Sequence, residues 1–289
     1  MAIAIKQILL GAAVCLSAGA IVSPSNAATL TPRNIIFDTS NYRTYTGGSN
    51  GIFSSNHAGA AIAALQDSNP TSNVELWAST ENPTANVGFS STLGKYNVTV
   101  QSVTAADWAV FGNQWLTDFL ASSAQITQMW SMLTLSQQRD ARSSLLSLGL
   151  PSSGDPNVGS LTLDSLTGQL KLDLIGHLDL RPRILARQYS MGNTTWDNIL
   201  LRFAGRTQSA IQASEIAKVT IGKDTYYAYS FNATSTGVST NDGSESYTGR
   251  YTWTKTLAPS PKSTPEPSVI GSLIVAGGLV ASRKLKTAA

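Results

Sequence analysis

Two charge-free apolar runs, one near each end of the 289-residue chain, bound what the residues between them can form. Ile8 to Val22 contains only apolar and small side chains, and Lys6 is the one charge ahead of it. Pro24 follows, and Ser25-Asn26-Ala27 supplies small side chains that suit a signal peptidase pocket. A charged start, an apolar middle and a small-residue site are the order of a secretory signal, which the mature protein lacks. The expected signal peptide is therefore residues 1–27, cut between Ala27 and Ala28, with signal peptidase as its partner. Cys15 lies inside this run and is the only cysteine, and Val14 stands where a lipoprotein signal needs a small residue.

The mature chain must then fold without disulfides, and thiol catalysis and cysteine metal sites are excluded. About 230 residues remain, enough for one substantial core. The formal net charge of +3 misleads, because Lys6, Arg283, Lys284 and Lys286 belong to the two ends. Without them, 16 basic side chains face 17 acidic ones, a net charge of −1. A nearly neutral domain offers no electrostatic grip on nucleic acid.

The second run has its own order. Ala258-Pro259-Ser260-Pro261-Lys262-Ser263-Thr264 reads as an extended linker over 258–264. Pro265-Glu266-Pro267 comes next, then Ser268 to Ser282 without a charge, then Arg283-Lys284-Leu285-Lys286. As a helix, that apolar run reaches about 22 Å against a hydrocarbon core of about 30 Å. Local thinning and snorkelling of the terminal basic side chains would close the gap, with the basic end held cytoplasmic. Residues 265–289 are thus expected to hold a short transmembrane helix that anchors the protein to the membrane.

This three-part order resembles the PEP-CTERM sorting signal, with Pro265, Glu266 and Pro267 as its motif. The resemblance implies an exosortase-like sorting enzyme as a partner. It also implies a destination in the cell envelope or extracellular medium, and association with exopolysaccharide. Asn73-Val74-Glu75-Leu76-Trp77-Ala78-Ser79, Ala105-Ala106-Asp107-Trp108 and Ile211-Gln212-Ala213-Ser214-Glu215 further resemble an uncharacterised family of PEP-CTERM proteins. That second resemblance bears on localisation and architecture and brings no activity with it.

Residues 28–257 read as one α+β domain, mainly antiparallel sheet with a central helical pair. Asn34–Phe37, Val74–Ser79 and Tyr96–Val103 are strand candidates, and the alanine-rich His57–Gln66 a helix. Thr104-Ala105-Ala106-Asp107 is a capping box with aspartate in place of glutamate. Trp108, Phe111, Trp115, Phe119 and Leu120 follow at helical spacing, interrupted by Gly112, and should face a sheet. A second helix opens at Ser136 and ends at Gly149, before Pro151. Leu161–Leu163 and Leu170–Leu174 form one hairpin around Ser165–Gly168. Val219–Ile221 and Tyr226–Phe231 form another around Gly222-Lys223-Asp224, and Tyr247–Trp253 closes the domain.

No catalytic residue, metal site or cofactor is expected. Gly47-Gly48-Ser49-Asn50-Gly51 matches a nucleophile elbow, but it lacks the alternating strand–helix units such an elbow needs. His57 and His177 have no second ligand at helical spacing, although His177 could meet Asp173 or Asp179. A glycosidase would need paired carboxylates, and Asp38, Asp164 and Asp173 lie in or beside strands. Ser153-Gly154-Asp155-Pro156-Asn157 and Asp242-Gly243-Ser244-Glu245 offer oxygens to calcium but read as turns. Aromatic parity groups Tyr227 with Tyr229, and Tyr247 with Tyr251 and Trp253, as either a sugar-stacking face or the buried face. The reading is a non-enzymatic envelope or matrix protein, against a glycan-active hydrolase and a surface adhesin that pairs through a sheet edge. N-terminal sequencing of the secreted protein should begin at Ala28; retention of Met1 would refute the signal.

Overall fold

Alternation of apolar and polar side chains, sustained over short segments, gives this chain more strands than helices. The computed structural model describes residues 28–46, 52–53, 57–67, 69–80, 82–148, 154–186, 194–237 and 247–258. The chain runs β1 (Thr29–Leu30), β2 (Arg33–Phe37), β3 (Tyr42–Thr46), β4 (Ile52–Phe53), α1 (Ala58–Gln66), β5 (Asn73–Leu76), β6 (Gly88–Leu93) and β7 (Tyr96–Gln101). The helices α2 (Ala105–Ala121), α3 (Ala124–Ser131) and α4 (Leu135–Leu148) follow. Then come β8 (Asn157–Asp164), β9 (Gln169–Gly176), α5 (Arg181–Leu185), α6 (Thr194–Arg206), β10 (Ala217–Ile221), β11 (Asp224–Ala228), β12 (Ala233–Ser235) and β13 (Gly249–Thr256). The central helical pair is an under-reading: three helices stand in the middle, and α5 and α6 add two more. None of the helices among the described residues is long and apolar enough to cross a membrane.

All the recorded pairings are antiparallel and build two sheets. The large one runs β12-β13-β9-β8-β5-β3-β4, with β1 also on β8; the small one runs β11-β10-β7-β6-β2. Their inner faces share one core. Val74, Leu161, Leu172 and Tyr251 enter it from the large sheet, and Phe89, Val100 and Val219 from the small one. All seven are fully buried, each side chain contributing about 1.5–3 kcal/mol through apolar burial. The β8–β9 hairpin has the expected leucines in register, Leu161 opposite Leu172 and Leu163 opposite Leu170. Asp164 accepts from the amides of Leu166 and Thr167 at its turn, and Gly168 takes the left-handed conformation that closes it.

The helices enclose a second core. Thr104 and Asp107 form the expected capping box, and Trp108, Phe111, Trp115 and Phe119 are buried on one stripe of α2. That stripe meets the outer side of the small sheet through Phe111, which stacks on Tyr227 of β11, as expected, and it also meets α4, where Trp108 bonds Leu145. Gly112 is now explained: a side chain there would press on the indole of Trp108, whose Nε1 donates 3.1 Å to the Leu145 carbonyl of α4. The second hairpin stops sooner than expected, at Ala228 rather than Phe231. Val74–Ser79 likewise ends at Leu76, where Trp77 turns left-handed with φ 61° and donates its amide to Asn41.

Two glycines test this packing in opposite directions. A Cβ at Gly88 would collide with the Val100 carbonyl of the neighbouring strand, whereas one at Gly205 in α6 meets open space. Gly88→Ala should cost about 1–3 kcal/mol. Gly205→Ala should gain up to about 1 kcal/mol. Urea unfolding midpoints at unchanged slope would check both.

Candidate functional site

The histidines singled out in the sequence have structural partners. His57 is the N-cap of α1, its Nδ1 accepting from the Ala60 amide at 3.1 Å. His177 lies 3.0 Å through Nε2 from Nη1 of Arg183. A guanidinium only donates, so Nε2 must be the acceptor there. The His177 carbonyl accepts from the Tyr251 hydroxyl at 2.6 Å. Ser49, Ser153, Asp242 to Glu245, the Pro265–Pro267 motif and Ala27 lie outside the described residues.

The strand aspartates are similarly engaged. Asp173 is buried and accepts from Ser160, Thr252 and Lys171 at 3.0, 2.6 and 3.2 Å. Asp179 is bound by Arg181 at 2.6 Å and by the Ile211 amide at 3.1 Å. Asp38 takes a bond from Gln101, and Asp164 shapes its turn. The aromatic set divides between core and surface. Tyr247 and Tyr251 are buried, while Tyr227 stacks on Phe111 at 4.1 Å and Tyr229 lies 6.3 Å from the same ring. Tyr227, Tyr229 and Trp253 are half-buried; Trp253 lies against the inter-sheet core, 6.1 Å from Tyr226.

Two polar clusters remain, and sequence reading found neither as a unit. The first surrounds Asp107, at the third position of α2. Its carboxylate accepts from Asn86 at 2.6 Å, the Thr104 amide and hydroxyl at 3.0 and 2.8 Å, Lys218 at 2.8 Å and Tyr227 at 3.1 Å. Burial alone would raise this acid, but the bonds from Asn86, Lys218 and Thr104 outweigh it and hold it below the usual carboxylate range. Burial and the same negative charge push the Tyr227 phenol up to about 12.

The second cluster gathers acids from distant segments at the start of β8. Arg43, Glu75, Asn157, Ile175 and Arg250 are successive cross-strand neighbours on β3, β5, β8, β9 and β13. Tyr45 donates its hydroxyl to Glu75, and burial, followed by that bond, raises the phenol to about 12. Glu215, from the segment that enters β10, accepts from the Asn157 amide at 2.8 Å and from its Nδ2 at 3.3 Å. Asp155, expected in a simple turn, is buried beside it. Glu215 is partly exposed as a residue, but its carboxyl lies inside and is held well above the usual range by burial, then by the charges of Asp155 and Glu75.

Glu75 and Glu215 both fall in the short stretches quoted for the family resemblance, as does Asp107, but nothing local marks them as neighbours. Among the described residues no group of three or more His, Cys, Asp or Glu side chains is arranged to hold a metal ion. The clusters' direct chemistry is proton binding and charge pairing. No protein-family model, curated protein or solved structure matches the chain.

Asp107 offers a direct test. Asp107→Ala takes their acceptor from the Lys218 ammonium and from the donors of Asn86, Thr104 and Tyr227, and should cost about 3 kcal/mol near neutral pH. Because the carboxyl is depressed when folded, its contribution is present above the ordinary aspartate pKa and is lost as pH falls through the folded value. The gap between wild type and variant in urea unfolding should therefore narrow in acid.

Proposed function

We propose that this chain is an exported, membrane-tethered and then envelope or extracellular-matrix protein, non-enzymatic and associated with exopolysaccharide. The three-part sequence at the C-terminal end carries the reading: Pro265-Glu266-Pro267, a charge-free run and a basic end. An exosortase-like enzyme would recognise it after signal peptidase has acted at Ala27. Two structural observations support the tether. The Leu257 amide donates to Gly168 at 2.9 Å and the Tyr96 hydroxyl donates to the Ala258 carbonyl, so the domain is stitched shut where the linker begins. At the other end, Ala28 exchanges two 3.1 Å bonds with Ser165, so a chain starting there has its first residue held.

Support for a non-enzymatic role comes from the polar side chains themselves. The two histidines serve as a helix cap and an arginine partner, and Asp107, Asp173 and Asp179 are each engaged by several donors. Polysaccharide stacking falls to Trp253 with Tyr226, over whose ring Lys255 sits 4.4 Å from the centroid.

Removal of residues 265–289 tests the tether. The truncated protein should keep its melting temperature and lose its place in the membrane and envelope, as followed by fractionation. Unchanged fractionation would sink the sorting role, and a large fall in melting temperature would show that the segment packs on the domain.

A further inference from the structure

We propose that the Glu215 carboxyl is a proton-operated clasp between the two sheets, closed as the neutral acid and loosened when it ionises against Asp155 and Glu75. Glu215 stands two residues before β10 in the small sheet, and its two bonds reach Asn157 at the head of β8 in the large sheet. Asn157 in turn lies opposite Glu75 and Ile175, so the clasp grips the large sheet within its width rather than at an edge.

The groups around the clasp carry both signs: Asp155 and Glu75 bear on Glu215, while Arg43 lies opposite Glu75 on β3 and Arg250 opposite Ile175 on β13. Asp155 comes from the loop before β8 with 5% of its surface exposed. Glu75 comes from β5 and takes the Tyr45 hydroxyl, and Tyr251 faces the site from β13. The ion pairs of Lys171, Arg181 and Lys218 among the described residues go to Asp173, Asp179 and Asp107, none of them to Glu215. Burial and two like charges therefore favour the proton on Glu215, and the Asn157 donors oppose them only in part.

The direction of the pH effect follows. A carboxyl raised on folding contributes stability that is complete below its ordinary pKa of 4.5 and is lost as pH rises through the folded value. Asp107 and Asp179 act oppositely: both are depressed below 3.8, so their contribution is lost in acid. Stability should peak on the acid side of neutrality, between these limbs. For a protein outside the cell, the surrounding pH would then set how firmly the two sheets hold together, a consequence that rests on the proposed export.

Thermal unfolding of the full chain in mild detergent, from about pH 4.5 to about pH 8.5, tests the clasp. Wild-type melting temperature should fall toward alkaline pH. Glu215→Gln keeps an acceptor for Asn157 without a charge, and should melt about 3 °C or more above wild type at the alkaline end, with the fall abolished. Asp155→Asn removes one facing charge and should end the fall at a lower pH. A flat wild-type profile, or a fall that survives in Glu215→Gln, overturns the proposal. If the glutamine protein does not fold, an unaltered fall in Asp155→Asn overturns it as well.

Discussion

The contact on which this architecture depends is the part-buried one between Asp107 and Lys218, 2.8 Å apart. Two hydrophobic cores meet there, one between the sheets and one among the helices. A buried ion pair by itself contributes little, because desolvation cancels most of the attraction. Asp107 escapes that balance through its further donors from Asn86, Thr104 and Tyr227. One carboxylate thereby fixes the start of α2, the loop before β6 and the last two strands of the small sheet.

The β10–β11 hairpin makes the joint work through its pleat. Ala217, Val219 and Ala228 turn toward the inter-sheet core, while Lys218 and Tyr227 turn toward α2. Side-chain period two lets a single ribbon serve two cores. The same parity explains why a tyrosine pair that looks like a ligand platform in sequence is a packing surface in the fold. Phe111 covers Tyr227, and Asp118 takes the Tyr229 hydroxyl at 2.7 Å.

Legibility followed locality. The β8–β9 hairpin, the Thr104–Asp107 box and α1 are encoded within a few residues of themselves, and sequence alone placed them. Strand β6, Gly-Phe-Ser-Ser-Thr-Leu, was missed because its buried Ser91 takes a position where an apolar residue would have signalled a strand. Helices α3 and α5 were missed because no capping box comparable to that of α2 announces them, and α6 was missed although Thr194-Thr195-Trp196-Asp197 repeats the spacing of the α2 box. The Glu75–Asp155–Glu215 cluster was out of reach for another reason. Its members come from three separate segments, and only the β5–β8 register and the path into β10 bring them together.

The position of β13 reaches beyond the static structure. This last strand lies between β12 and β9, not at the margin of its sheet, and β1 lies against β8 far along the chain. A nascent polypeptide thus cannot complete its large sheet until nearly all of the domain has been made, and such non-local pairing is intrinsically slow. Were the chain exported as proposed, this slowness would be an advantage, since the emerging segments would remain extended and translocatable. The cost is a long interval with unpaired strand edges, in which exposed strands are open to aggregation.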